Sequence, residues 1–112
     1  PRACQSQEGG TTILRGALLV HVQAKPGAEA DVDRFGASGL ALANQEPATP
    51  IWFALRLGSA TFGFFAAFAD EAGRKAHLAG PVAAALMAKA PELLAEAPRI
   101  EQVDILAAKI SN

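Results

Sequence analysis

An α+β domain with the element order β-α-β-β-α-β is predicted by three observations on the 112-residue sequence. Four stretches rich in apolar, aromatic and β-branched residues (17–24, 51–57, 62–68 and 100–110) are each bounded by turn-forming residues. Helical spacing separates the first stretch from the second, and two short helical segments separate the third from the fourth. The middle two stretches are joined by Gly58-Ser59-Ala60-Thr61, which is the length of a hairpin loop.

The first strand, ALLVHVQA over 17–24, is stopped by Lys25-Pro26-Gly27. Residues 28–46 then place Ala28, Val32, Phe35, Gly39 and Leu42 on one helix face, with Glu29, Asp31 and Asp33 early, where the helix dipole favours anions. Gly36 and Gly39 weaken this helix by about 1 kcal/mol each relative to Ala, and both suit close packing on a sheet. Glu46-Pro47-Ala48-Thr49-Pro50 is a turn, because neither proline can donate to a ladder. IWFALRL (51–57) and FGFFAAF (62–68) are the second and third strands. Asp70 is placed to cap a helix through about Leu78, and Pro81 takes the first position of another running to about Ala90. Pro91 is expected to open a last short turn, PELLAE, before the fourth strand over 100–110. This order is the ferredoxin-like split βαβ pattern, an antiparallel four-stranded sheet with helices on one face. Residues 1–15 mix Gly, Gln, Ser and Thr without periodicity and are expected to be a flexible N-terminal arm, with Cys4 incidental in it, ahead of one domain over 16–112.

Composition narrows the function classes. Ten Lys+Arg and eleven Asp+Glu give a formal charge of -1, and no basic run occurs, which argues against nucleic acid as a partner. No apolar stretch approaches the roughly 18–20 residues of a membrane span. A lone cysteine excludes an internal disulfide and a Cys-based zinc site, and with no signal-peptide pattern a reducing cytoplasm is the expected location. No nucleotide fingerprint, metal-ligand cluster or flavin motif is present in the sequence.

The strands do not alternate as a one-sided sheet should. Ala17-Leu18-Leu19-Val20, Ile51-Trp52-Phe53-Ala54-Leu55 and the uncharged run 62–68 are apolar on both faces, as is Ile105-Leu106-Ala107-Ala108. The helical segments can hide only one face, so a homodimer packed sheet against sheet is expected. The alternative is a monomer whose arm or helix ends cap the second face.

FGFFAAFADEAGRKAHLAGPVAAALMAKAPELLAE (62–96), together with LLVHVQAKPGAEADVDRF, IWFALRL and the closing strand, resembles the antibiotic-biosynthesis-monooxygenase (ABM) family. The likeness is strongest to its short quinol-monooxygenase-like bacterial members and spans roughly residues 16–110. The resemblance implies a dimeric α+β barrel with a pocket in each subunit between sheet and helices. It also implies oxygenation of a small aromatic quinol or phenol without metal, flavin or other cofactor. The family's usual signature is an aromatic residue, commonly Trp, at the end of the third strand and a His nine residues later; here these are Phe68 and His77. The haem-degrading branch uses an Asn in the first strand and that Trp. Val20 or His21 and Phe68 stand at those positions here, which argues against haem degradation.

An electron-rich phenol reduces dioxygen once deprotonated, so the protein needs a dry cavity, one base and a donor for developing negative charge. His77 is the candidate base, since imidazole titrates near neutrality, and its side chain is expected to lean over Gly73, where a missing side chain leaves room. Its bland alternative is an imidazole satisfied by a carbonyl or solvent, with Gly73 serving packing alone. Trp52, Phe64 and Phe68 are candidate walls for a planar ligand, although core packing is the ordinary role of such residues. Arg56 shares a strand face with Trp52 and could meet a substrate anion, or else pair with a carboxylate, Asp104 being one candidate. His21 is expected on the barrel side in a structural role, and Met87 as a gap filler in the helical layer. Glu92, Glu96 and Glu101 look solvated. A non-catalytic ligand-binding or structural dimer of the same fold remains the rival reading.

Overall fold

A computed structural model describes residues 13–110, so the expected arm up to residue 12, Cys4 included, lies outside the described residues. The elements are β1 (Gly16–Gln23), α1 (Glu29–Ala43), β2 (Ile51–Arg56), β3 (Thr61–Phe68), α2 (Glu71–Leu78), α3 (Pro81–Leu93) and β4 (Arg99–Asp104). They build one open antiparallel sheet in the order β2-β3-β1-β4. The α+β ferredoxin-like fold is therefore as the sequence predicts.

Register sorts the strand residues onto two faces. Leu18, Val20 and Val22 of β1 stand beside Ala66, Phe64 and Phe62 of β3, and Trp52 of β2 stands beside Ala66. This face packs under the helices: Val20, Val22, Phe62 and Phe64 form one buried cluster with Val32 of α1 and Leu86 and Ala90 of α3. α1 lies on β2 and β3, and α2 on β1 and β3. Gly39 brings α1 close, because a Cβ there would stand 3.1 Å from Cη2 of the Trp52 indole.

The opposite face carries no helix among the described residues. Ala17, Ala67, Ile51, Phe65 and Val103 gather there, and Leu14 and Ile105 fold over one end of them. Residues 13–15, read as the end of the arm, therefore include a buried side chain, and Arg15 N–H donates to Phe68 O at 2.9 Å. Phe53 stacks on Phe65 and is 53% exposed. The helix-end and arm alternative thus applies to one corner of this face, through Leu14, and not to Phe53.

Two boundaries differ from expectation. α3 continues through Pro91 to Leu93 instead of stopping near Ala90. The proline forgoes one hydrogen bond, while Lys25 Nζ donates to Pro91 O at 2.7 Å and Lys25 N–H to Leu93 O at 2.9 Å, tying the last turn to the end of β1. β4 ends at Asp104, not 110, because its partner strand begins at Gly16, opposite Asp104. Ile105 N–H still reaches Arg15 O, but beyond it Leu106 is 97% exposed. Met87, expected inside the helical layer, is 56% exposed on α3.

Candidate active site

α2 carries the one buried histidine among the described residues, and its position follows from local chemistry. The Asp70 side chain accepts from Gly73 N–H at 2.9 Å, satisfying one of the helix's free donors. His77 then falls in the last turn, pointing back toward the sheet, with its ring centroid 5.4 Å from that of Phe68. The space at Gly73 is not beside the imidazole: a Cβ there would meet Ala48 O at 3.1 Å and Phe68 Cβ at 3.4 Å. Gly73 therefore serves close packing.

The partner of His77 is Glu46, which from sequence is only part of a turn. Nδ1 of His77 lies 2.5 Å from Oε1 of Glu46. The same oxygen accepts from Thr49 Oγ1 at 3.1 Å, and Oε2 accepts from Val82 N–H at 3.1 Å. Val82 is in the first turn of α3, whose N-cap, Gly80, has no side chain to offer. Glu46 thus caps α3 from across the chain while holding His77. A Cβ at Gly80 would stand 2.9 Å from Glu46 Oε2, so the glycine makes room for the carboxylate. Both side chains are more than nine-tenths buried.

Next to this pair lies a cavity of about 120 Å³ between sheet and helices. Leu18 and Val20 line it from β1, Trp52 and Phe64 from β2 and β3, His77 from α2, and Leu86 and Met87 from α3. Trp52 and Phe64 stack with centroids 6.0 Å apart and an interplanar angle of 20°. The indole Nε1 is buried and makes no hydrogen bond among the described residues. His77 Nε2 likewise has no hydrogen-bond partner among them, since both polar contacts of the ring use Nδ1. The cavity is therefore lined by apolar side chains apart from the imidazole of His77. It can hold a flat ring and exchange hydrogen bonds with its substituents.

Of the expected site residues, Trp52, Phe64 and His77 come together here. Phe68 backs the imidazole but is wholly buried behind it. Arg56 lies elsewhere: it pairs with Asp33 of α1 rather than Asp104, covers the Phe62 ring at 5.0 Å, and borders a separate cleft of about 200 Å³. In that cleft the two charges answer each other. His21 is on the open sheet face, 3.0 Å from Glu101, which is therefore paired. Among the described residues no three His, Asp or Glu side chains converge to hold a metal ion, and no helix is long and apolar enough to cross a membrane. Glu46 could not be found from sequence, because a single Glu in a Pro-rich turn carries no signal of a histidine 31 positions later.

No protein-family model matches the sequence, and no curated protein does. Solved structures do. A protein of unknown function from Nitrosomonas europaea is 55% identical, with a TM-score of 0.87, over 91% of this chain and 99% of its own. A candidate antibiotic biosynthesis monooxygenase from the same organism has a TM-score of 0.72 at 13% identity, covering 82% of this chain and 90% of its own. Another such candidate, from Caulobacter crescentus, has a TM-score of 0.70 at 17% identity, covering 86% and 93%.

Proposed function

We propose that the chain, which shares the fold of candidate antibiotic biosynthesis monooxygenases, is a member of that family and a cofactor-independent monooxygenase of a small aromatic quinol or phenol. The observation that carries this reading is the apolar chamber, walled by Trp52 and Phe64, whose one polar lining group is the imidazole of His77, backed by Glu46. An apolar cavity of about 150 Å³ takes up benzene in a protein interior. The present 120 Å³ is therefore close to a single ring, with exposed Met87 able to swing aside at the mouth.

In this reading His77 Nε2 removes the phenolic proton, and the phenolate reduces dioxygen. A carbon–oxygen bond forms ortho to the oxygen, and the resulting hydroperoxide loses water as its O–O bond breaks. For hydroquinone the sum is one quinol and one dioxygen giving one hydroxybenzoquinone and one water. One oxygen atom enters the ring, the other leaves as water, and the quinol supplies all the electrons. Trp52 and Phe64 flank the ring, and the chamber keeps water from the phenolate. The reading also takes up the sheet-to-sheet homodimer, supported by the helix-free face with Phe53 and Phe65, and a reducing cytoplasm, supported by the single cysteine.

The test is oxygen uptake with a panel of hydroquinones, corrected for autoxidation, by wild type and His77→Ala. The reading expects substrate-dependent uptake that falls at least ~100-fold without the base. No uptake by wild type, or equal rates in both proteins, would refute it. The rival, a binding dimer without turnover, predicts saturable quenching of the single Trp52 by the same compounds with no oxygen consumed.

A further inference from the structure

We propose that Glu46 is a positioning residue: it fixes which nitrogen of His77 faces the chamber, and so makes the site an acceptor for a ligand hydroxyl. This deepens the oxygenase reading and rests on it for the identity of the ligand. The carboxylate is engaged through both of its oxygens. Oε2 accepts a backbone N–H at the start of α3, and Oε1 accepts the Thr49 hydroxyl, so both are already acceptors. Both oxygens thus face donors, one at the start of a helix and one on a hydroxyl. This pattern of acceptors assigns the hydrogen of the 2.5 Å contact to Nδ1, which leaves the lone pair of the neutral ring on Nε2. Nδ1 has its polar neighbours within the protein, Glu46 Oε1 and Thr49 Oγ1, so Nε2 is the nitrogen left for a ligand.

The arrangement selects a chemical class. A lone pair on Nε2 recognises an O–H donor, while the rest of the lining is apolar. A one-ring phenol or hydroquinone offers that donor; its fully methylated ether does not. Discrimination then comes from an unpaired buried group rather than from size.

The experiment reads the tautomer directly. Two-dimensional nitrogen–proton spectra of ¹⁵N-histidine protein, with His21 assigned by its Gln variant, report which nitrogen of His77 is protonated. Wild type should show the Nδ1–H form in its neutral state, with Nε2 shifting on titration with hydroquinone but not with 1,4-dimethoxybenzene. In Glu46→Gln, the amide NH2 can donate to Nδ1, so the proton should move to Nε2. Oxygen uptake by this variant should lose at least ~10-fold in kcat with KM changed less than about threefold. Gly80→Ala, which crowds Oε2 without altering Glu46, should shift the ring in the same direction and serves if the Gln variant fails to fold. An Nε2–H form in wild type, or an unchanged Nδ1–H form with full kcat in the folded Gln variant, would overturn the proposal. The Nδ1–H form in wild type with no oxygen uptake would support the positioning role and remove the oxygenase reading instead.

Discussion

Glu46 and His77, on a turn and a helix 31 residues apart, meet at 2.5 Å beside Gly80, where a Cβ would stand 2.9 Å from Glu46 Oε2. A methyl group there would press on Glu46 Oε2 and stand 3.1 Å from Ala76 O, and the carboxylate cannot retreat without giving up Val82 N–H. Gly80 has an extended backbone, so the conformation itself would suit alanine. Gly80→Ala is therefore expected to cost about 1–3 kcal/mol through a disrupted buried polar group. Urea titration followed by far-UV circular dichroism checks it, and a change under about 0.3 kcal/mol would speak against the crowding.

Two glycines on α1 should respond differently to alanine. At Gly39 a Cβ meets the Trp52 indole at 3.1 and 3.3 Å, whereas at Gly36 the nearest atom is Ala54 Cβ at 3.4 Å, an ordinary contact. Gly36→Ala should gain up to about 1 kcal/mol from helix propensity. Gly39→Ala should gain less or nothing and shift the emission of the only tryptophan, because the ring must move. Thermal melts and fluorescence of the two variants decide the matter.

Removing the cap of the histidine helix should loosen the site from its other end. Asp70→Ala leaves Gly73 N–H without its acceptor, at a cost of about 0.5–2 kcal/mol. Denaturant titration measures the loss.

Arg56, by contrast, should prove separable from the chemistry. Its partner Asp33 and the Phe62 ring beneath it are outside the His77 chamber, and the ion pair is half exposed. Arg56→Ala is expected to keep hydroquinone oxidation within about twofold and to cost about 0–1 kcal/mol of stability. A loss of turnover like that of His77→Ala would restore Arg56 to the site.

What was legible in the sequence follows from what each signal encodes. β1 to α2 were legible because punctuation and periodicity are local: Lys25-Pro26-Gly27, the two prolines of the 46–50 turn and Asp70 each act within a few residues. The end of β4 depends on where β1 begins, and the persistence of α3 past Pro91 depends on Lys25; both are tertiary facts. The same holds in the site. Spacing along β2, β3 and α2 put Trp52, Phe64 and His77 on faces that meet, whereas the pairings Glu46–His77 and Arg56–Asp33 required the packing of α1.

The helix-free sheet face makes its own prediction. Phe53 is half exposed and stacked on Phe65, so Phe53→Asp should spare the monomer's core while spoiling a sheet-to-sheet contact. Sedimentation velocity at micromolar concentration should show wild type as a dimer and the variant as a single subunit. A monomeric wild type would remove the dimer from the account.

The most direct test of the whole is a crystal structure with hydroquinone bound under nitrogen, where no turnover can consume it. The ring should lie beside Trp52 and Phe64 with one hydroxyl within hydrogen-bond reach of His77 Nε2. A ring bound elsewhere, or a chamber closed by Leu86 and Met87 with no ligand in it, would contradict the account.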